Sequence, residues 1–325
     1  MAARAKDPAA RGARGGRSRA LPGRSRAAQE REVIVYVSGA TGFVGSHVAR
    51  ELREQGAEVR DERVDLLDRE GLERVLDGCD AAVHVAALYS YDAPEEEFER
   101  VNVEGTRTLV DAALAKRVRR FVFTSTAGTC GPVPGRAATE EDAPPAWELT
   151  VPYKRTKLEA ERIALAAGAV VVNPTTPVGE GDSKPTPTGR MVEGVANGRV
   201  RGFVRTTGLN IVDVRDVARG HALALEHGEP GERYLLGGAD MPLEELFAAI
   251  ADLAGRSRPR LRVPYPVAVA AARAGFVNPD EVKLARIPMY FSSEKARSKL
   301  GYAPGPVEPA LARATAEALN RKGGA

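Results

Sequence analysis

The stretch that decides the fold is VYVSGATGFVG, residues 35–45. Its apolar start is typical of a buried strand, and the residues after it have the spacing of an amphipathic helix. Three glycines join the two: Gly39 permits a tight turn, Gly42 lets backbone N–H groups approach a pyrophosphate, and Gly45 allows close helix packing. The helix N-terminus then faces the phosphate charge. The stretch therefore predicts a dinucleotide site made by Gly39, Thr41, Gly42, Phe43, Val44 and Gly45.

The rest of the chain alternates short apolar runs with longer amphipathic stretches. The predicted strands are 33–37, 81–85, 120–123, 169–172 and one near 234–236, and the predicted helices are 45–55, 103–116, 151–167, 242–254, 292–300 and 306–319. This alternation predicts an α/β fold, a Rossmann-type doubly wound parallel sheet with a smaller α-rich C-terminal substrate lobe. We expect the Rossmann domain to take residues 32–175 with about 208–236, and the substrate lobe to take 176–207 and 237–322.

Charge is distributed unevenly along the chain. The 325 residues carry a net charge of +3, but residues 1–31 hold nine Arg or Lys against two acids, which leaves −4 for the remainder. The main part of the chain therefore offers no obvious face for a polyanion such as nucleic acid. Residues 1–31 have the composition of a disordered basic tail; a transit peptide and a start codon placed too early are the alternatives.

Other features of the composition exclude whole classes of site. The two cysteines have no CxxC spacing and the four histidines no metal-ligand spacing, so we expect neither a metal nor a disulfide. No apolar run approaches the roughly 20 residues of a membrane helix, so we expect no membrane insertion. The low cysteine count is typical of a cytoplasmic protein. We expect a small-molecule substrate and no nucleic acid.

A candidate catalytic set lies in the middle of the chain. PYKRTK, residues 152–157, places Tyr153 and Lys157 one helical turn apart on the same face. A phenol with a pKa near 10 is a poor base at neutral pH. A neighbouring ammonium and an oxidised nicotinamide favour the phenolate and lower that pKa. Upstream, Thr124, Ser125 and Thr126 follow a strand; alternation puts Ser125 on the opposite face but does not choose between the two threonines.

Five motifs together resemble the extended short-chain dehydrogenase/reductase superfamily: GATGFVG (39–45), HVAA (84–87), NVEGT (102–106), TSTAG (124–128) and YKRTK (153–157). Within it, three segments are most similar to the hopanoid-associated sugar epimerase group: 173–190, 206–226 and 290–296. A broader kinship is to dihydroflavonol-reductase-like enzymes. The resemblance implies bound NAD or NADP and a homodimer formed through helices 103–116 and 151–167.

The resemblance also implies roles for individual residues. Aligning TSTAG with the usual TSSAG makes Thr126 the substrate-contacting hydroxyl, which forms a catalytic triad with Tyr153 and Lys157. Asp65 and Leu66, where a further strand would end, are expected at the adenine. The other predicted cofactor contacts are Ala86, Asn102, Thr124, Tyr153, Lys157, Asn173 and Pro174.

The segment between Val59 and Asp65 leaves the choice between NAD and NADP open. It is much shorter than is usual in the hopanoid-associated group. Arg60 or Arg63 could receive a 2′-phosphate, whereas Asp61 could bind a free ribose hydroxyl. Arg60 is the residue that we predict to contact the cofactor.

Two enzymatic functions use the same triad. The first is an epimerase or dehydratase that acts on a sugar or nucleotide-sugar by transient hydride transfer, which segments 184–189 and 208–210 favour by resemblance. The alternative is an NADPH-dependent ketone or aldehyde reductase. A third possibility is a non-catalytic dinucleotide-binding protein, against which the intact triad argues. Substrate contacts are predicted at Thr176, Arg190, Asn210 and Arg286.

Overall fold

The computed structural model describes residues 32–90, 93–205 and 207–322, so the predicted basic tail, residues 1–31, lies outside the described residues. The strands in these ranges are β1 (Ile34–Ser38), β2 (Glu58–Arg60), β3 (Ala81–His84), β4 (Arg120–Thr124), β5 (Val170–Pro174), β6 (Thr176–Val178), β7 (Gly202–Val204), β8 (Gly208–Asp213), β9 (Arg233–Leu236), β10 (Ala239–Pro242) and β11 (Leu261–Val263). The α-helices are α1 (Phe43–Glu54), α2 (Arg69–Leu76), α3 (Glu95–Phe98), α4 (Gly105–Ala115), α5 (Pro152–Ala166), α6 (Pro187–Ala196), α7 (Val214–His227), α8 (Leu243–Leu253), α9 (Tyr265–Arg273), α10 (Pro279–Leu284), α11 (Glu294–Leu300) and α12 (Glu308–Lys322).

Six parallel strands form the main sheet in the order β2-β1-β3-β4-β5-β9. The predicted fold class, a Rossmann-type parallel sheet flanked by helices, is confirmed. The strand order reverses at β1, because β2 lies on one side of it and β3 on the other. Ligands of such sheets bind beyond the carboxyl ends of the strands at this reversal. The loops after β1, β3, β4 and β5 are therefore the expected place for a site.

Helices cover both faces of the main sheet, which is why its strands are apolar at successive positions. Val35 and Val37 of β1 belong to a core with residues of α1 and α7. The residue between them, Tyr36, points to the other face and packs with residues of α2 and α4. Because side chains alternate between the two faces of β1, this one strand contributes to both cores, and the glycine turn follows directly after it.

A second group of elements forms the other wall of the site. β10, β8 and β6 make a three-stranded sheet, and β11 pairs with β7. Helices α6, α8 and α12 pack around their own apolar core, which includes Val192, Phe203, Ile211, Leu246 and Leu311. The chain returns to the main sheet through α7 and β9 between β8 and β10.

The region expected to hold a strand ending near Asp65 differs from the prediction. Residues 61–65 after β2 have no regular structure, and α2 begins directly after Asp68. Asp68 Oδ1 accepts a hydrogen bond from Gly71 N at 2.9 Å and so caps this helix. The connection is too short for a further strand, because the chain must turn within a few residues from β2 into α2.

Candidate functional site

A single cavity of about 1240 Å³ runs from the glycine turn after β1 to the α6, α8 and α9 helices. The carboxyl ends of β1, β3, β4 and β5 contribute to its lining, as expected for a doubly wound sheet. Of the predicted cofactor residues, the cavity is lined by Gly39, Thr41, Gly42, Phe43, Val44, Gly45, Leu66, Ala86, Thr124, Tyr153, Lys157 and Pro174. The structure therefore brings together the motifs that the sequence places far apart.

The glycine turn has the geometry that close backbone approach requires. Gly39 has a φ of +74°, and a Cβ at this position would lie 2.6 Å from Ala86 N. Gly42 N donates to Gly39 O at 2.9 Å, and a Cβ on Gly45 would overlap Gly39 O. Gly42 is the N-cap of α1 and no side chain caps this helix. Free N–H groups at the helix start suit a pyrophosphate, so the residues present fit a dinucleotide.

The adenosine end of the cavity holds two residues that the sequence left as alternatives, together with the predicted Leu66. Asp61 and Arg63 line it. Asp61 also forms an ion pair with Arg53 at 2.6 Å, near the protein surface. A carboxylate and a guanidinium thus lie together where a ribose 2′ substituent is expected, and the choice between NAD and NADP stays open.

Two residues predicted at this end, Arg60 and Asp65, are placed outside the cavity lining. The Arg60 guanidinium donates to Val75 O at 3.1 Å and to Asp77 O at 2.6 Å, so it holds the end of α2. The Asp65 carboxylate accepts from Leu67 N at 3.0 Å within the turn before α2. Both placements have the same cause: without a further strand, these side chains satisfy the backbone of the turn and helix.

Thr126 and Tyr153 meet at the end of β4. The Tyr153 hydroxyl is hydrogen-bonded to the Thr126 side chain, and its ring packs on Tyr89 with 4.5 Å between centroids. Gly128 N donates to Thr126 Oγ1 at 3.3 Å, which orients the threonine in the loop after β4. Burial raises the pKa of Tyr153, with a smaller rise from Tyr89, while the Thr126 hydrogen bond opposes both. The phenol is therefore protonated at neutral pH.

The sequence predicts that a neighbouring ammonium and an oxidised nicotinamide together lower the pKa of Tyr153, whereas the protein groups around the phenol raise it. Lys157 Nζ donates to Thr124 O at 2.7 Å and lies 4.3 Å from the centroid of the Phe123 ring. Burial lowers the pKa of Lys157 itself to about 7, against a smaller opposing effect of Glu161. Desolvation is thus the largest cause of the pKa shift of both groups.

Three predicted cofactor residues support the site through hydrogen bonds. Thr124 lines the cavity, but its Oγ1 lies 2.8 Å from Nε2 of the buried His221. Asn102 Oδ1 accepts from Leu88 N at 2.8 Å and lies outside the lining, so it holds the loop after β3. Asn173, also outside the lining, donates to Thr126 O at 3.1 Å. Asn102 and Asn173 thus hold loops of the cavity, and their contacts with a cofactor stay predictions.

Two of the four predicted substrate residues line the cavity and two do not. Thr176 and Arg190 line the cavity. Asn210 does not, because its Nδ2 donates to Asp240 Oδ1 at 2.6 Å and its Oδ1 accepts from Gly238 N at 2.9 Å between β8 and β10. Arg286 lies outside the lining as well, and its guanidinium is 5.4 Å from the centroid of the Trp147 ring.

Sequence reasoning missed two features of the cavity. The buried Lys154 lines it beside Gly128 and forms an ion pair with the fully buried Glu148 at 3.1 Å. The cation directly after Tyr153 was the available signal. The other missed feature is the apolar end of the cavity, whose lining includes Phe203, Leu209, Leu243, Phe247, Val282 and Phe291. These six residues come from five separate elements or loops, so no local pattern reveals the apolar end.

Substitutions in the TSTAG segment should separate its hydroxyls. Thr126→Val removes the partner of Tyr153, and we expect kcat to fall about 10²-fold with nucleotide binding unchanged. Ser125 Oγ is buried without a hydrogen-bond partner, so Ser125→Ala should keep full activity and equal or greater stability. Steady-state kinetics and thermal unfolding test both. Full activity of Thr126→Val together with an inactive Ser125→Ala would mean that the register of the motif is shifted by one residue.

Lys157→Met should stabilise the nucleotide-free protein while it removes activity. The unfolded chain keeps Lys157 protonated to a pH near 10.5, whereas the folded chain releases this proton near pH 7. The unfolded state binds more protons between these values, so stability rises with pH through this window. We expect the variant to unfold about 2 °C or more above the wild type at pH 7, with a smaller gain near pH 10.

The matched control for this stability effect is Lys299→Met, at an exposed lysine 3.7 Å from Glu229. Its melting temperature should follow that of the wild type at every pH, because an exposed ion pair contributes little. A Lys157→Met protein that is less stable than the wild type at pH 7 would show that the hydrogen bond to Thr124 O outweighs the cost of burying the ammonium.

Neither a metal site nor a membrane span occurs in the described part of the chain. No three His, Cys, Asp or Glu side chains in residues 32–90, 93–205 and 207–322 are placed to hold a metal ion. No helix within these ranges has the length and apolar character needed to cross a bilayer.

The chain is similar in sequence and in structure to several known proteins. The model of the NAD dependent epimerase/dehydratase family matches residues 35–237. A protein of Synechocystis sp. named as a candidate dihydroflavonol 4-reductase is 34% identical, over 86% of this chain and 92% of that protein. Sterol demethylase protein B of Methylococcus capsulatus is 31% identical, over 87% and 98%. The solved structure PA4631, a nucleoside-diphosphate-sugar epimerase of Pseudomonas aeruginosa, is 26% identical with a TM-score of 0.77, over 89% and 98%.

Proposed function

Because the chain belongs to the NAD-dependent epimerase/dehydratase family, whose members are NAD(P)-dependent enzymes of the extended short-chain dehydrogenase/reductase type, we propose that it interconverts a ketone and a secondary alcohol on an apolar substrate. This is the reductase alternative of the sequence analysis rather than the sugar epimerase that the sequence favoured.

The observation that carries this proposal is the lining of the cavity beyond Tyr153. Aromatic and aliphatic side chains from β7, β8, α8 and α10 dominate it, with Phe203 and Phe247 in an edge-to-face pair at 6.0 Å. Such a surface gains free energy by contact with rings or alkyl chains and leaves the hydroxyl groups of a sugar unpaired. Two relatives bear the names of enzymes for flavonoid and sterol substrates, which are largely apolar ring systems.

The residues at the end of β4 have complementary roles in this reaction. A bound NAD(P) supplies or takes up the hydride. Tyr153, protonated because it is buried, donates its proton to the carbonyl oxygen in reduction and takes it back in oxidation. Thr126 holds the same oxygen by a hydrogen bond. Lys157 favours the phenolate whenever its own side chain is protonated, since an adjacent positive charge lowers the pKa of a phenol.

A second candidate function is the sugar epimerase, and one observation favours it. Lys184, Arg190 and Arg201 line the same cavity as the apolar residues. Three cations in one cavity can bind a diphosphate. The similarity to the epimerase of Pseudomonas aeruginosa points in the same direction. In this function the nucleotide is not consumed, because the hydride returns to the substrate.

The fate of the nucleotide distinguishes the two functions. We expect the purified protein to lose its nucleotide on gel filtration and to oxidise added NADPH or NADH in the presence of an apolar cyclic ketone. UDP-glucose should leave the NADPH absorbance unchanged and should not be epimerised. A nicotinamide that survives gel filtration, combined with epimerisation of a nucleotide-sugar, would overturn the reductase proposal. Tyr153→Phe is the negative control for both assays.

A further inference from the structure

The chain from Gly255 to Val277, which we call the 255–277 segment, exposes large apolar side chains. Phe276 is 83% exposed, Leu261 63%, Val267 56% and Val277 44%. Nine large hydrophobic residues are exposed among the described residues, and four of these lie here within one short stretch. Single exposed apolar residues are ordinary, but a group of this kind marks an interaction surface.

The same segment is strongly basic. It holds five arginines and no aspartate or glutamate, whereas residues 32–325 together have a net charge of −4. Arg258 pairs with Asp252 and Arg262 pairs with Glu244, and each of these pairs is exposed. Arg256, Arg260 and Arg273 are exposed as well. The surface is therefore both apolar and positively charged.

The segment also forms part of the cavity wall. Val263, Ala268, Ala271 and Val277 line the apolar end of the cavity. On α9, Ala268 is buried on the cavity side, while its neighbour Val267 is exposed to solvent. An apolar molecule at the outer surface of this segment is thus only the thickness of one helix and its flanking turns away from the cavity.

We propose that the 255–277 segment, which forms part of the cavity wall, docks the protein on the surface of an anionic lipid bilayer. Phe276, Leu261 and Val267 enter the boundary between headgroups and acyl chains, and the arginines contact lipid phosphates. Apolar side chains beside basic ones are the combination that peripheral, non-spanning attachment uses. The corollary, that the substrate passes between the bilayer and the cavity, rests on the proposed function.

Vesicle flotation of the full-length chain tests the docking. Vesicles of phosphatidylcholine alone are compared with vesicles that also contain phosphatidylglycerol. The test variant is Phe276→Ser with Val267→Ser, and the matched control is Val33→Ser, which changes a 50% exposed valine before β1. Every protein keeps the basic residues 1–31, so a difference between variants reports on the 255–277 segment.

We expect the wild type and Val33→Ser to float with the anionic vesicles, and the double variant to have a partition coefficient at least about tenfold lower. Arg256→Gln with Arg260→Gln should weaken binding to anionic vesicles, and the loss should shrink as salt is raised.

Equal flotation of the wild type and the variant Phe276→Ser with Val267→Ser overturns the proposal. A wild-type dimer that the double variant converts to monomers, with flotation unchanged, shows instead that the surface joins two copies of the chain.

A second measurement distinguishes an error in the docking proposal from an error in the proposed function. Reduction of a water-soluble ketone is measured without vesicles, where Phe276→Ser with Val267→Ser should match the wild type because these exposed side chains do not contact the catalytic residues. If no ketone is reduced but flotation behaves as expected, the proposed function is wrong and the docking stands. If reduction occurs but the double variant floats like the wild type, the docking is wrong.

Discussion

Replacing Tyr153 by phenylalanine is expected to lower kcat by about 10²- to 10⁴-fold while the nucleotide still binds. Tyr153, which we propose as the proton donor, is hydrogen-bonded to Thr126, and phenylalanine keeps the ring that packs on Tyr89. The loss is therefore chemical rather than structural. Stopped-flow kinetics with saturating nucleotide and substrate measures the reduction step, and fluorescence titration measures nucleotide affinity.

The matched control for this change is Tyr302→Phe. The Tyr302 hydroxyl donates to Gly237 O at 3.2 Å and is buried outside the cavity lining. This variant should lose some stability, because a buried acceptor loses its donor, but it should keep its turnover rate. Near-normal kcat in Tyr153→Phe would remove Tyr153 from the catalytic assignment, whatever the behaviour of the control.

The second large effect is expected from Gly45→Ala. A Cβ at this position would overlap Gly39 O in the turn that the pyrophosphate is expected to contact. The turn or α1 must shift, and we expect a loss of about 1 to 3 kcal/mol in the free energy of unfolding. Nucleotide affinity should fall about tenfold or more, because displaced N–H groups no longer converge on one anion. Denaturant unfolding and isothermal titration calorimetry measure the two effects.

Gly305→Ala is the control for the glycine substitution. The nearest atom to a Cβ there is Asp216 Oδ2 at 3.9 Å, and Gly305 does not have a positive φ. Its stability should stay within about 0.5 kcal/mol of the wild type and its nucleotide affinity should be unchanged. Wild-type nucleotide affinity in Gly45→Ala would show that the glycine turn does not hold the phosphates.

The predicted site residues that the structure brings into one cavity are those whose spacing has a local cause. The spacing of Gly39, Gly42 and Gly45 is a property of one strand–turn–helix unit, and the pairing of Tyr153 with Lys157 is a property of one helix. The main sheet was also predictable, since buried parallel strands are apolar throughout and alternate with amphipathic helices.

The predicted site residues that lie outside the cavity lining are polar side chains for which several partners compete. Arg60, Asp65, Asn210 and Arg286 each carry a group that can bind a ligand or satisfy nearby groups of the protein. The structure places all four outside the cavity lining. Arg60 contacts the end of α2, and Asp65 contacts the turn before that helix. Asn210 contacts β10, and Arg286 lies near the Trp147 ring. Sequence position alone does not decide between such partners, because the choice depends on the length of connections and on the packing of other elements.

The sequence by itself determined the fold class, the spacing of the three glycines in the turn and the spacing of Tyr153 and Lys157, because each depends on periodicity or spacing along the chain. Only the tertiary structure decided which hydroxyl meets Tyr153, since Thr124 and Thr126 share one face of an extended segment and differ in their distant partners. The apolar character of the cavity was also decided only by the tertiary structure. Side chains from β7, β8, α8 and α10 become one surface only when the chain has folded, because no two of these elements are joined by a local pattern.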